Sequence, residues 1–489
     1  MGGAPLRSKG CNTCRKRKVK RPECARCLKG SYRCEGYERD RKFINAFAES
    51  EPDKSSKKKN IIVPQKKAED VHLTVINVNS QIRSQLFSLF IDSYIPSPPV
   101  GHINLRCQQV TNVIEDFPSL MDSKNSQLFD RAISALASTF VGKKFNDTRL
   151  ICHGVMLYNH AIRAFAALIP QSKLPVQEVL CANIVFQLYE VINCTYGFAG
   201  WMAHMQGANA VLARHEKSLK RNQLSTMVLR QLKLSNIFHA IGKSQSALAS
   251  FPMWRYLSPP KPDDPLDEII DILMECTILI EEAGCVRCEQ DAANVIQSAY
   301  NLKYHAQSWH NRLMATSEDP LYTLVPDESQ AVRLKTKSSV FPEKCEFISI
   351  DMAEAFMLYW AAMLVICSIF YEFDLQNASE GNSQLDPDTN KKNHDMEITS
   401  IAGQDALFFA DQICRGVGYF VQPHMHILGG HNLLFPLPMS SQFFHRHGFY
   451  DRYEWCQDVF VTLESMGLGL ANVLQGTPWL TYKAGENQP

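Results

Sequence analysis

The chain has 489 residues, 45% of them hydrophobic and six of them tryptophan, which allows a large buried core and excludes disorder throughout; the length favours two or more structural units. The net charge of +1 conceals an asymmetry: residues 1–67 hold 20 Lys and Arg against 7 Asp and Glu, a net of +13, and the remaining 422 hold 31 against 43, a net of −12. A basic head on an acidic body is the layout expected when the head meets a polyanion and the body does not.

The first residues, MGGAPLRSKGCNTC, contain no apolar run of the kind that directs export, and Leu6 stands where a myristoylation signal needs Ser or Thr. Sixteen cysteines without an export signal point to thiols and metal ligands in a reducing compartment. Residues 11–34 are rich in Cys, Lys and Arg and nearly empty of large aliphatics, so hydrophobic burial cannot fold them. Cys11-Asn-Thr-Cys14, Cys24-Ala-Arg-Cys27 and Cys34 supply thiolates at zinc spacing, because two residues between cysteines let both sulfurs face one ion. The second unit reads C-x2-C-x6-C; the first would match it if Arg21 were a cysteine.

The run GCNTCRKRKVK followed by RPECARCLKGSYRCEGY, residues 10–37, resembles the six-cysteine binuclear zinc cluster of fungal transcription factors. The resemblance implies two zinc ions held by six thiolates, the first and fourth bridging. By position, Cys11 and Cys24 would bridge, Cys14 would bind one zinc, and Cys27 and Cys34 the other. The third cysteine should follow Lys20, where Arg21 stands, and the spacing from Cys14 to Cys24 is about four residues short. One zinc keeps a full set, Cys11, Cys24, Cys27 and Cys34; the other has three cysteines, and the next histidine is His72. Either the gene model lost a few codons at a splice junction or the protein is a degenerate member, and the intact remainder of the motif favours the first.

Arg15, Lys16, Arg17, Lys18 and Lys20, on a short helix starting at Cys14, can reach phosphates and the major groove of double-stranded DNA together. The resemblance implies recognition of a CGG triplet, with Lys18 reading guanines; Arg15 and Lys20 would mainly hold phosphate. Three base pairs cannot select a genomic site alone, so a homodimer or a partner transcription factor is expected. Nuclear localisation and contact with the transcription machinery follow from the same reading. The simpler alternative is a nuclear-import signal or a nonspecific basic face; the cysteines put DNA readout first, and nuclear import is compatible with both. Residues 38–79, with lysine runs at 57–59 and 66–67, read as a flexible basic linker.

From residue 80 to about 475 the pattern becomes helical. Ile82, Leu86, Leu89 and Phe90 open it, and further runs follow at about 125–141, 148–169, 176–193, 200–214, 223–249, 266–284, 289–315, 345–373, 401–421 and 450–474. Pro and Gly sit mostly between the runs, and sustained β alternation and a solenoid repeat are both missing. The body is therefore expected to be all-α, a large multi-helix regulatory domain behind a small zinc-cluster head. Residues 188–215, LYEVINCTYGFAGWMAHMQGANAVLARH, resemble the middle of the fungal-specific transcription factor domain, with Glu190, Gly200, Trp201, His204, Gly207, Ala208 and Leu212 in the family's order. HNLLFPLP at 431–438 is similar to its C-terminal stretch. Helix packing is the preferred role for Trp201, His204 and Gly207, ahead of a ligand pocket.

The uncharged run Ala355–Tyr371 is close to the shortest membrane-spanning length, but Tyr359 and Trp360 sit inside it rather than at its ends. A buried central helix explains it better, and no membrane partner is expected. Residues 376–396 are polar and read as a surface loop. Cys285-Val-Arg-Cys288, with Cys276 upstream, lacks a partner pair, and His424, His426, His431, His445 and His447 lack carboxylates or cysteines at metal spacing. Nucleophile-elbow, phosphate-loop and zinc-protease motifs are missing. An enzyme is not expected, and that reading would gain only from a deep pocket with convergent polar groups of shifted pKa. The other alternative is a regulator that has lost DNA binding and acts through a partner factor.

Overall fold

A computed structural model describes residues 80–97, 127–171, 175–220, 222–257, 264–327, 340–381 and 400–476. The chain divides at Val71/His72, and all these residues belong to the second unit. They are overwhelmingly helical, as the periodicity predicts.

Helix α1 (Ser80–Tyr94) leads to α2 (Gln127–Lys144) and α3 (Thr148–Leu168), a tight helical hairpin. Asp147 ends the link between the latter two: its carboxylate accepts from the amides of Arg149 and Leu150 at 2.9 and 3.4 Å, capping α3. A Cβ on Gly154 would stand 2.1 Å from the Thr139 hydroxyl, so only glycine permits this crossing. Next come α4 (Val176–Asn193), α5 (Phe198–His215) and α6 (Gln223–Lys243), the last capped by Asn222. Helix α4 is buried along almost its whole length, with α2, α5 and α6 packed around it.

The second group is built around one helix. It comprises α7 (Pro265–Gly284), α8 (Glu289–Met314), α9 (Ile350–Gly381), α10 (Ile401–Phe420), α11 (His426–Leu433), α12 (Pro436–Arg446), α13 (Tyr450–Ser465) and α14 (Leu470–Gln475). Helix α9 contains the apolar run tested for membrane spanning, and 94% of its most apolar window is buried inside the protein. Helices α7, α8, α10 and α12 surround it. Gly416 of α10 lets this packing close, since a Cβ there would stand 2.6 Å from the Met357 sulfur.

Four features depart from the sequence reading. An antiparallel hairpin of β1 (Tyr322–Pro326) and β2 (Glu343–Phe347) precedes α9, so the helix expected from 345 begins at Ile350. Phe347 packs against Phe356 and Trp360, which shows how so short a strand is held. The proline- and histidine-rich stretch after Phe420 forms α11 and α12, with Pro436 at a helix start where its missing N–H costs nothing. The run expected over 450–474 breaks at Gly467, whose φ of 101° ends α13. Helix α9 also extends into the polar segment, through Gly381; residues 382–396 of that expected loop lie outside the described residues.

The two groups meet where α6 lies against α7. Arg230 donates from Nε to Asp267 at 2.6 Å and from its terminal nitrogen to Asp264, and Lys233 pairs with Asp271.

Candidate functional site

The residues assigned from sequence to zinc and DNA, Cys11, Cys14, Cys24, Cys27, Cys34, Arg15, Lys16, Arg17, Lys18 and Lys20, lie outside the described residues, as does the 38–79 linker. The site that the described residues do form is a cavity between the α4 and α9 groups, with about 140 Å³ of free volume. That is close to the roughly 150 Å³ hydrophobic cavity able to hold benzene.

Its walls come from helices far apart in sequence. Helix α4 contributes Ile184, Leu188 and Val191, α5 contributes Phe198 and Trp201, α6 contributes Met227, Leu234 and Phe238, and α14 contributes Leu470 and Leu474. Phe238 stacks on Phe435 with centroids 3.8 Å apart, and Phe198 stacks on Trp201 at 5.2 Å, so two stacked aromatic pairs are set in a mainly aliphatic wall. Polar groups converge elsewhere on the wall: Tyr94, Arg230, Gln231, Asp351, Glu354, His431 and Asn432.

Tyr94 and His431 form a pair, hydroxyl oxygen to Nδ1, at 2.6 Å. Burial pushes the imidazole down to about 4, so His431 is neutral near pH 7. The Tyr94 hydroxyl is pushed up, by burial first and then by the charge of Glu354, and stays protonated. Arg230 is spoken for by Asp264 and Asp267. Glu354 differs from all of these. Burial pushes its carboxyl up to about 7, Asp351 pushes the same way, and Arg230 pulls it partly back. Among the described residues it makes no hydrogen bond or ion pair. A half-buried carboxyl that none of the neighbouring donors on this wall reaches, and that is only part ionised near neutrality, is an arrangement that functional sites favour.

Both stretches that carry the resemblance in the body reach this chamber, through Leu188 to Trp201 on one side and His431 to Phe435 on the other. Their other residues pack. His204 Nε2 meets the Tyr158 hydroxyl at 2.6 Å, and that hydroxyl also donates to Glu190. Glu190 further accepts the amides of Thr195 at 3.0 Å and Tyr196 at 3.5 Å. Gly200 lies against it, with room for a Cβ only 2.8 Å from the Glu190 carboxyl carbon, and Gly207 lies against Phe165 in the same way. Trp201 is buried as the packing role requires, and it is also a wall of the cavity.

The five histidines after residue 420 go to separate places. His426 Nε2 meets Ser97 at 3.1 Å, His445 lies on Tyr453, His447 is buried beside Phe443 and Tyr371, and His424 offers its carbonyl to the Ser97 amide. Cys285 and Cys288 are exposed, whereas Cys276 is buried with its thiol toward the Ala362 carbonyl. Among the described residues no group of three or more His, Cys, Asp or Glu could hold a metal ion.

Sequence reasoning named His431 in the histidine stretch and at the start of the 431–438 resemblance, and gave Glu354 no role. The available signal was Glu354 itself, a second carboxylate one turn inside the helix after Asp351, directly before a run that is uncharged to Tyr371. Comparison with known proteins adds little. No family model matches the chain, and no solved structure does. An uncharacterized protein of Emericella nidulans is 29% identical over 144 residues, which is 29% of this chain and 29% of that protein.

Proposed function

We propose that the chain is a transcription regulator that binds double-stranded DNA through a zinc-organised head at residues 10–37 and acts in the nucleus, the helical body being its regulatory part. The observation that carries this reading is the constellation of Cys11, Cys14, Cys24, Cys27 and Cys34 around the cationic run from Arg15 to Lys20. Five thiolates at this spacing have few other uses in a segment with no core of its own, and zinc supplies ~10–16 kcal/mol of folding free energy to such sites. The +13 head and −12 body support it further.

Arg21 in place of a thiolate favours a second reading, a regulator with impaired DNA binding that acts through a partner factor. Metal analysis and a DNA mobility shift separate the two. The chain as it stands is expected to hold about one zinc per head and to bind CGG-containing DNA poorly. Inserting Cys and three polar residues between Lys20 and Arg21 should raise the count to two and sharpen binding. In the repaired chain Lys18→Ala should cost ~1–3 kcal/mol on CGG sites, and Arg15→Ala should weaken all sequences alike. Two zincs and equally tight CGG binding in the unrepaired chain would remove the proposed defect; no shift from either chain would favour the partner reading.

The cavity supplies the deep pocket that an enzyme would need. Glu354 and His431 add convergent polar groups of shifted pKa, so the enzyme reading gains from it; what favours a receptor is the choice of side chains for nucleophilic chemistry. No cysteine or lysine is among the lining residues, and the one serine, Ser235, donates to Gln187 at 2.8 Å and to the Gln231 carbonyl at 3.0 Å. A chamber that binds without an activated nucleophile suits an effector site.

A further inference from the structure

We propose that the cavity between the α4 and α9 groups is a binding site for a small primary amine carried on a ring-sized apolar body, its ammonium group held by the Glu354 carboxylate. The site goes beyond the DNA-binding reading and stands or falls without it.

Size comes first. The free volume of about 140 Å³ suits one ring with a short arm, and the stacked faces of Phe198 with Trp201 and Phe238 with Phe435 suit an apolar or aromatic body.

Charge then selects the head group. An anion entering the chamber would need a free cation, but Arg230, the one cationic side chain among the lining residues, already donates to Asp264 and Asp267. It would also meet Glu354 and the field of Asp351. A neutral hydroxyl guest could donate to Glu354, but with a weaker bond than a charged donor makes and without neutralising the carboxylate. A cationic amine donates to that carboxylate in a desolvated setting, where charge-assisted bonds are strong. Asn432 and the neutral Tyr94–His431 pair line the same chamber and repel no cation. The aromatic faces add attraction for a cation.

The test uses the full chain without DNA, at about pH 8 so that Glu354 is ionised. Phenylethylamine, phenylethanol and phenylpropanoate share one body and differ in head group, and isothermal calorimetry reads their affinities. The amine should bind at least about tenfold more tightly than the alcohol, with the carboxylate weakest, as one charge-assisted hydrogen bond predicts. E354Q should remove the amine's advantage, so that amine and alcohol bind alike, and alcohol binding that is still detectable shows that the variant chamber is intact. Replacing Leu234 with Trp, which fills the chamber, should remove binding of both. Three results overturn the proposal: no probe binding, phenylpropanoate matching the amine, or an amine preference that survives E354Q. The wild-type series decides the question even if a variant fails to fold.

Discussion

Two clusters inside the helical body use the same three residue types and reach opposite ends. In one, Tyr158, Glu190 and His204 join α3, α4 and α5; in the other, Tyr94, Glu354 and His431 come from α1, α9 and α11. Each has a tyrosine hydroxyl 2.6 Å from an imidazole nitrogen, and burial pushes both imidazoles down to about 4. They differ at the carboxylate. Glu190 is fully buried and takes donors from Tyr158, Thr195 and Tyr196, which offset much of the burial that pushes its carboxyl up. Glu354 takes none among the described residues and faces open volume. A buried polar group that is fully bonded holds a fold together, and one left wanting a partner marks where a partner is to come.

The largest expected effect breaks the sealed cluster. Glu190→Ala strands the buried Tyr158 hydroxyl and removes the acceptor of two amides at the end of α4, and should destabilise the chain by roughly 2–4 kcal/mol. Chemical denaturation monitored by circular dichroism measures it, and a loss below about 1 kcal/mol would contradict the satisfied-network account.

The second prediction has the opposite sign. The Glu354 pKa is raised from 4.5 in the unfolded chain to about 7, so the folded state binds the extra proton between those values. Stability therefore falls as pH rises from 4.5 through about 7, and the penalty is complete above it, reaching about 3 kcal/mol. Glu354→Gln removes the penalty. It should stabilise the chain at about pH 8 by up to that amount and have little effect near pH 5. Equal effects at both pH values would mean that Glu354 has a partner.

The smallest effect sharpens the contrast. Gly200→Ala places a methyl 2.8 Å from the Glu190 carboxyl carbon, and that carboxylate is held by three donors and cannot swing away. A cost of about 1–3 kcal/mol is expected in the same denaturation assay, below that of Glu190→Ala.

The helical body was legible because apolar spacing at 3.6 residues is local information. Runs such as 176–193 and 401–421 match α4 and α10 almost to the residue. The stretch after Phe420 was not, because Pro, His and Gly read as loop while tertiary packing makes α11 and α12. The cavity was illegible for a different reason. Its walls run from Tyr94 to Leu474, and no spacing in the chain announces that α1, α4, α9 and α14 share one space. The two stretches that carry the resemblance supply two of its walls, 188–201 and 431–435, but the preferred role for Trp201, His204 and Gly207 was packing, and Gly200, His204 and Gly207 do pack, while Glu190 is held by hydrogen bonds.

The span of that chamber also sets a clock. Tyr94 leaves the ribosome some 380 residues before Leu474, an interval of roughly 20 to 80 seconds at ordinary elongation rates. For most of it Tyr94 lacks His431 and the aromatic wall of α5 and α6 lacks the cover of Phe435, and α14 arrives last of all. The nascent body can thus become helical long before it can retain a guest. Occupancy of the chamber is a property that only a finished chain can acquire.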